Sequence, residues 1–342
     1  MKIYRSAIYS QFRCIAADCP DSCCKEWGVS VDATSAAYYR GLPGELGDRL
    51  RQVLKDEDGS TVMVIEEGRC PMWRQDGLCR IQAELGHEAL CKTCREFPRL
   101  THDYGDFQEW GLELSCPEAA RLILNAPALP PEMLEVPGEG VAEYDEDVMA
   151  ILQNSRPEAM ALLETAPLPQ ALALLLMYGY HVQAAIDGGE ETPFDAAAAL
   201  EEARGFAGTG SLEEILDFYR DLEVLSPNWP ARLAAPAPNP WEPRHQALAR
   251  YFVERYWLQA VADYDLVSRV KLAILSCLVI RGLGGDPVQT AQAYSKEIEN
   301  DPDNVDALLD GAYTCPAFTD EKLLGLLLRT EQGPTIGSFH VR

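Results

Sequence analysis

Beyond residue 140, apolar positions recur three and four residues apart, the period that gathers them on one face of a helix. Residues 148–163, 169–186, 193–204 and 212–222 follow it, separated by breaks that carry Gly or Pro. A second breaker run at 226–243 ends this group, and the period resumes over about 246–262, 265–281, 287–299 and 303–311. Gly282 is expected to stand just past the end of the 265–281 helix. Strand-type alternation is nearly absent, and no internal repeat is visible. Before residue 126 the pattern is different. Asp76-Gly77 is a turn signal that predicts a short hairpin, and 81–90 spaces its apolar residues as a short helix would. A Pro-rich passage over 126–140 separates the two regimes.

The expected class is therefore mainly α. An irregular cysteine-rich, metal-binding domain with a short hairpin and helices fills 1–125, and an all-helical part fills 126–342, with a possible sub-boundary at 226–243. At 342 residues the chain is long enough for two domains, and 47% apolar with 24% charged residues is an ordinary globular composition. The longest uncharged stretch, 166–186, contains Pro167, Pro169, Gln170, His181 and Gln183, so it reads as a buried helix rather than a membrane span.

Charge narrows the partners. The net charge of −25 argues against nucleic acid, whose binding relies on lysine and arginine displacing counterions. Divided at Asn125, the first part carries −5 and the remainder −20. A field of that sign suits a lysine-bearing protein, although a solvated acidic surface is the simpler account. Met1-Lys2-Ile3-Tyr4-Arg5-Ser6 is followed by no apolar run and no small-residue cleavage site, which predicts a cytoplasmic and hence reducing location.

In that setting eleven cysteines read as metal ligands rather than as a disulfide set. Nine of them (Cys14, Cys19, Cys23, Cys24, Cys70, Cys79, Cys91, Cys94 and Cys116) fall in the first 116 residues, and only Cys277 and Cys315 lie beyond. Their spacing is C-x4-C-x3-C-C, then C-x8-C, then C-x2-C, then a single Cys. Thiolates two or three residues apart close on one ion through a tight turn, and remote pairs complete a four-coordinate zinc site or an iron–sulfur cluster. Nine ligands exceed one such site, so either two sites exist or some cysteines are spectators or nucleophiles. Inert buried cysteines and a purely structural zinc site are the plainer alternatives. Near the cluster, His87 and His102 are candidate ligands or acid–base groups, and Asp103, Tyr104, Asp106 and Glu113 are candidate proton acceptors. His181 reads as a core histidine.

The quoted spacing, together with Lys25-x-Trp27, Cys70-Pro71, Asp76-Gly77-Leu78-Cys79-Arg80-Ile81-Gln82-x2-Leu85-Gly86, Thr93-Cys94-Arg95-x-Phe97-Pro98-Arg99 and Leu114-Ser115-Cys116-Pro117-Glu118-Ala119-Ala120-Arg121, resembles the flagellin lysine-N-methylases. The core from Cys19 to Arg99 is also similar to a wider group of zinc- or iron-chelating cysteine-rich domains. Softer likeness extends to Arg250-Tyr251-Phe252, to Asp265-Leu266-Val267-Ser268-Arg269-Val270-Lys271-Leu272-Ala273 and to Tyr294-Ser295-Lys296-Glu297-Ile298-Glu299, while about 126–240 matches only in helical character.

The resemblance implies methyl transfer from S-adenosylmethionine to lysine side chains of flagellin, with a cysteine-held four-iron (4Fe-4S) cluster. The C-x3-C-x2-C signature of radical S-adenosylmethionine enzymes is absent, because Cys23 is followed directly by Cys24. Gly282-Leu283-Gly284-Gly285-Asp286 reads as a helix end rather than a methyltransferase glycine loop, so neither a donor pocket nor a catalytic base is assigned. The competing readings are a non-enzymatic zinc- or iron-binding adaptor and an iron–sulfur redox sensor.

Overall fold

The computed structural model describes residues 1–329 apart from Glu26, Trp27, Asp58, Glu139 and Glu191. Trp27 of the motif and residues 330–342 of the expected helical part thus lie outside the described residues.

The N-terminal third runs β1 (Lys2–Arg5), β2 (Val29–Val31), α1 (Ala33–Gly41), α2 (Gly44–Val53), β3 (Leu54–Glu57), β4 (Ser60–Met63), α3 (Arg80–Leu85), α4 (Lys92–Glu96), β5 (Arg99–Asp103), β6 (Phe107–Leu112) and α5 (Pro117–Asn125). There follow β7 (Glu132–Glu135), α6 (Glu146–Thr165), α7 (Leu168–Ile186), α8 (Ala196–Phe206), α9 (Leu212–Arg220), α10 (Trp229–Ala234), α11 (Pro243–Tyr256), α12 (Val267–Leu283), α13 (Pro287–Glu297), α14 (Pro302–Thr314) and α15 (Asp320–Arg329). Helix accounts for 57% of the chain, so the mainly-α class holds.

The strands form two small sheets. One has the order β5-β6-β1-β7, with β1 parallel to β6 (Lys2 opposite Phe107, Arg5 opposite Trp110) and antiparallel to β7 (Ile3 opposite Leu134). The other, β2-β4-β3, is antiparallel throughout. Packing separates two cores. Val29, Tyr39, Leu50, Met63, Met72 and Ile81 belong to a small one that also buries Cys70 and Cys91. The larger core joins Phe12, Phe107 and Leu114 to the helices.

At the middle of the larger core lies α12, every residue of which except Arg281 is buried. It shows no amphipathic stripe because it has no solvent face. Gly179 of α7 permits close approach there, since a Cβ on it would lie 3.0 Å from Val270. The one lysine in α12, Lys271, is satisfied by the carbonyls of Ala312 (2.9 Å) and Phe318 (3.2 Å) and by Asp320 (2.8 Å). No helix among the described residues is long and apolar enough to cross a membrane. The stretch 166–186 is instead a buried helix, α7, with Leu172, Leu175 and Leu176 fully enclosed.

Several expectations are corrected. The part after 126 is not all-helical, because Glu132–Glu135 pairs with the first strand. The breaker run at 226–243 holds α10, which begins at Trp229 with Pro in its first turn, where the missing N–H costs nothing. The 246–262 helix changes to 3₁₀ geometry after Tyr256. The 81–90 helix stops at Leu85, where Gly86 has φ 87°. The C-terminal α15 was not anticipated.

The glycine ending α12 is Gly284, not Gly282. Gly284 has φ 72°, and a Cβ there would meet the Ala237 carbonyl oxygen at 1.9 Å. Gly282 remains inside the helix and lets Leu212 pack against it. Gly284→Ala is therefore expected to lower stability by more than about 1 kcal/mol, read as a fall in the urea midpoint at unchanged slope. An unaltered midpoint would contradict this assignment.

A candidate thiol centre and a charged cavity

All eleven cysteines are free. Their positions follow from local structure. Asp76 Oδ1 accepts from the Leu78 N–H (3.2 Å) and Gly77 takes φ 80°, closing the turn that brings Cys79 back opposite Trp73, while the Trp73 N–H bonds to the Cys70 carbonyl (2.9 Å). The Cys70 N–H in turn donates to the Cys24 carbonyl (2.7 Å), which fastens the Cys23-Cys24 loop to this turn. Asp32 caps α1 through the Ser35 N–H (2.9 Å) and also accepts from the Lys92 N–H (2.9 Å). With Thr93 Oγ1 donating to the Ser30 carbonyl (2.8 Å), it fixes the start of α4 and hence Cys91 and Cys94.

As a result the thiols meet in pairs, and among the described residues no three of the sulfurs lie within 4.8 Å of one another. Cys23 hydrogen-bonds Cys24, Cys24 hydrogen-bonds Cys70, and Cys94 hydrogen-bonds Cys91. The charge of Cys79 acts on Cys24 and Cys70 and feels those of Cys23 and Cys91, and Cys94 feels Cys23 and Cys24. Cys14, Cys19 and Cys116 lie within electrostatic reach of one another, and Cys19 within reach of Cys23. Cys277 is enclosed in α12, and Cys315 follows α14.

The thiols shift one another's ionisation. The bond donated to Cys24 and burial both push Cys23 up. Cys24 is drawn down by Cys23, but its bond to Cys70 and burial outweigh this and carry it to about 12. Cys70 and Cys91 are lowered, each by the thiol that donates to it. Cys79, Cys91 and Cys116 stand at the first turns of α3, α4 and α5, beside backbone N–H groups that favour thiolates. Burial nevertheless holds Cys116 at about 12. Bringing a metal ion among such groups releases protons and stabilises the folded domain.

The loop bearing Cys19 and Cys23 is anchored to the helical part through Asp21. Its carboxylate contacts Lys25 (2.7 Å), Lys296 (3.2 Å) and Gln292 (2.8 Å), and Gln292 also donates to the Ser115 carbonyl (2.9 Å) next to Cys116. Burial opposes ionisation of Asp21, yet these partners hold its pKa down to about 2.

The remaining candidates separate. His87 is exposed. His181 is half-buried, with Nε2 2.9 Å from the Thr192 carbonyl. Asp103 accepts from the Gly105 N–H (3.0 Å) and the Gln108 side chain (2.8 Å), and Asp106 accepts from the Tyr144 hydroxyl (2.8 Å), so both serve turns. Glu113 is buried and accepts from the Ser115 hydroxyl (2.9 Å), and burial raises its pKa. Tyr104 Oη and His102 Nε2 are buried without a partner. Burial, with help from Arg255 and Arg156, keeps the His102 imidazole neutral below its usual range.

His102 also lines a cavity of about 650 Å³ between the first sheet and α6 and α11, closed on one side by the proline-rich 126–131 run. Among the described residues, the trio of metal-ligating atoms within 4.8 Å of one another is Glu223, Asp301 and Asp303, where Asp301 caps α14. No signal in the chain's pattern marked the cavity, because its walls come from five separate segments.

No family model and no solved structure matches the chain. The flagellar biosynthetic protein FliU of Salmonella muenchen is 34% identical over 128 residues, a match that takes in 35% of this chain and 76% of that protein. Lysine-N-methylases of Salmonella typhimurium and Salmonella choleraesuis are likewise 34% identical over 128 residues, and the chain spans about a third (32%) of their length.

Asp21→Asn is expected to cost about 2 kcal/mol, because it leaves Lys296 facing a neutral partner in a half-buried site. Alkylation of Cys19 and Cys23, followed by mass spectrometry, should quicken while the far-UV signal of the helices stays unchanged. Equal alkylation rates in both proteins would remove the anchoring role.

Proposed function

The chain belongs to the flagellin lysine-N-methylase family, and from that premise we propose that it transfers methyl groups from S-adenosylmethionine to lysine side chains of flagellin, with an iron–sulfur or zinc centre held by its cysteine thiolates. The observation that supports the metal half of this reading is the pairing of thiols from separate stretches of chain, where the Cys70 N–H bonds the Cys24 carbonyl (2.7 Å) and brings their thiols into contact, with Cys91 and Cys94 paired beside them. Thiols paired in this way on rigid turns and helix starts suit soft metal ions, and the set fits the group chemically. When bound, such a centre supplies a cationic anchor for donor groups or a source of electrons.

The chain's own residues have the other tasks. A lysine attacks a methyl carbon only as the neutral amine, so a proton must leave the ammonium, and partial desolvation in the cavity favours that loss. Neutral His102, lining the cavity with Nε2 unpartnered, is suited to accept it. The Asp21 anchor keeps the thiol loop in register with the helical part, where the negative charge concentrates and attracts a lysine-bearing partner.

Incubating the anaerobically purified protein with S-adenosylmethionine and flagellin should add methyl masses to flagellin lysines. Cys24→Ser and Cys70→Ser should abolish the shift, whereas Cys315→Ser should preserve it. An unshifted flagellin in the presence of an intact metal centre contradicts methyl transfer and leaves the metal-binding adaptor as the reading.

A further inference from the structure

The cavity described above is lined by three arginines and three glutamates, but one of the arginines is paired with a carboxylate from outside this set. Arg156 pairs with Glu109 (2.5 Å) and Arg250 with Glu164 (2.6 Å). Arg255 pairs with Glu299 (3.1 Å), whose carboxylate also accepts from the Tyr251 (3.1 Å) and Tyr256 (3.0 Å) hydroxyls. Each arginine therefore has its own counter-charge. Glu254 is left over. It lines the cavity on α11 and is solvent-exposed there, and no ion pair or side-chain hydrogen bond is formed by its carboxylate among the described residues.

Apart from Ser6, His102 and Gln153, the rest of the wall is mainly apolar and aromatic, with Trp110, Ile123, Met160 and Leu258. A half-open cleft with one unpaired carboxylate and a mainly apolar lining selects for a ligand that carries one positive charge on an apolar body. Aromatic walls near that charge add to the preference. A free anion is disfavoured because all three guanidinium groups are already engaged.

We propose that this cavity binds an organic cation, a lysine side chain or the sulfonium of a methyl donor, with Glu254 as its counter-ion. The choice of these two cations rests on the methyl-transfer reading, whereas the selection for positive charge rests on the cavity alone. Desolvation by the surrounding protein, with Glu109, raises the Glu254 carboxyl pKa against the opposing pull of Arg156 and Arg250, so neither arginine fully compensates it. Its tie to the scaffold is firm, since Arg156 also donates to the Glu254 backbone carbonyl (3.3 Å) and spans α6 and α11.

Titration calorimetry of the full chain separates the sources. S-adenosylmethionine is compared with neutral S-adenosylhomocysteine, and Nα-acetyl-lysine methylamide with its norleucine counterpart. The wild-type protein is expected to prefer at least one cation over its neutral twin by about tenfold or more, and Glu254→Gln to reduce that preference below about threefold. Preference in the first pair alone identifies the sulfonium, and in the second alone the lysine. No preference in either pair, or one that survives in Glu254→Gln, overturns the proposal.

Should Glu254→Gln fail to fold, Met160→Trp provides the second arm. It narrows the cavity while retaining the carboxylate, and must weaken binding of the preferred cation. Cation selectivity without methylation of flagellin counts against methyl transfer alone. Methylation with no selectivity counts against this cavity alone.

Discussion

The carboxylate of Asp21, held between Lys25, Lys296 and Gln292, is the contact on which the arrangement of this molecule turns. It joins a loop with little regular structure to a helix in the main core, and it does so at the point where four cysteines cluster in sequence. The same short segment of α13 and the turn after it makes two further attachments. Glu297 accepts from the Leu225 (2.9 Å) and Ser226 (2.7 Å) N–H groups, and Glu299 compensates Arg255. Tyr294 and Ile298 point inward between them and are fully buried. A buried carboxylate is tolerated only when its partners are in place, so each attachment fixes geometry as well as energy.

That segment gives the two candidate sites a common frame. The thiol loop is tied to it by Lys296, and the cavity's deepest cation, Arg255, by Glu299. Sites held on rigid elements keep their groups near a working geometry, which flexible loops do not. The small core beneath Cys70 and Cys91 is modest beside the helical one, so a bound metal would add folding free energy where apolar burial is thinnest.

Much of the helical part was legible in the chain, because α6, α7, α11, α12, α13 and α14 each carry long runs with clear breaks at their ends. The Asp76-Gly77 turn was legible too, since only a residue tolerating φ > 0 closes it. The first sheet was not. Its strands are four to six residues long, and β1 finds its parallel partner β6 a hundred residues away, a pairing no local pattern records. The end of α12 was misplaced by two residues because three glycines crowd it, and only the approach of Ala237 distinguishes them.

For the candidate site, the cysteine spacing named nine candidate ligands but left them unsorted. Sorting required knowing that Cys24 meets Cys70 across two loops. Glu254 was invisible because its meaning lies in which of its neighbours are already paired.

The central claim is that thiolates from three separated stretches surround one inorganic centre. X-ray absorption at the metal edge, with iron, zinc and sulfide quantified on protein purified without oxygen, addresses it directly. The account predicts a first shell of sulfur that is lost in Cys70→Ser and retained in Cys277→Ser. Metal-free protein, or a shell of nitrogen and oxygen indifferent to Cys70, would contradict it.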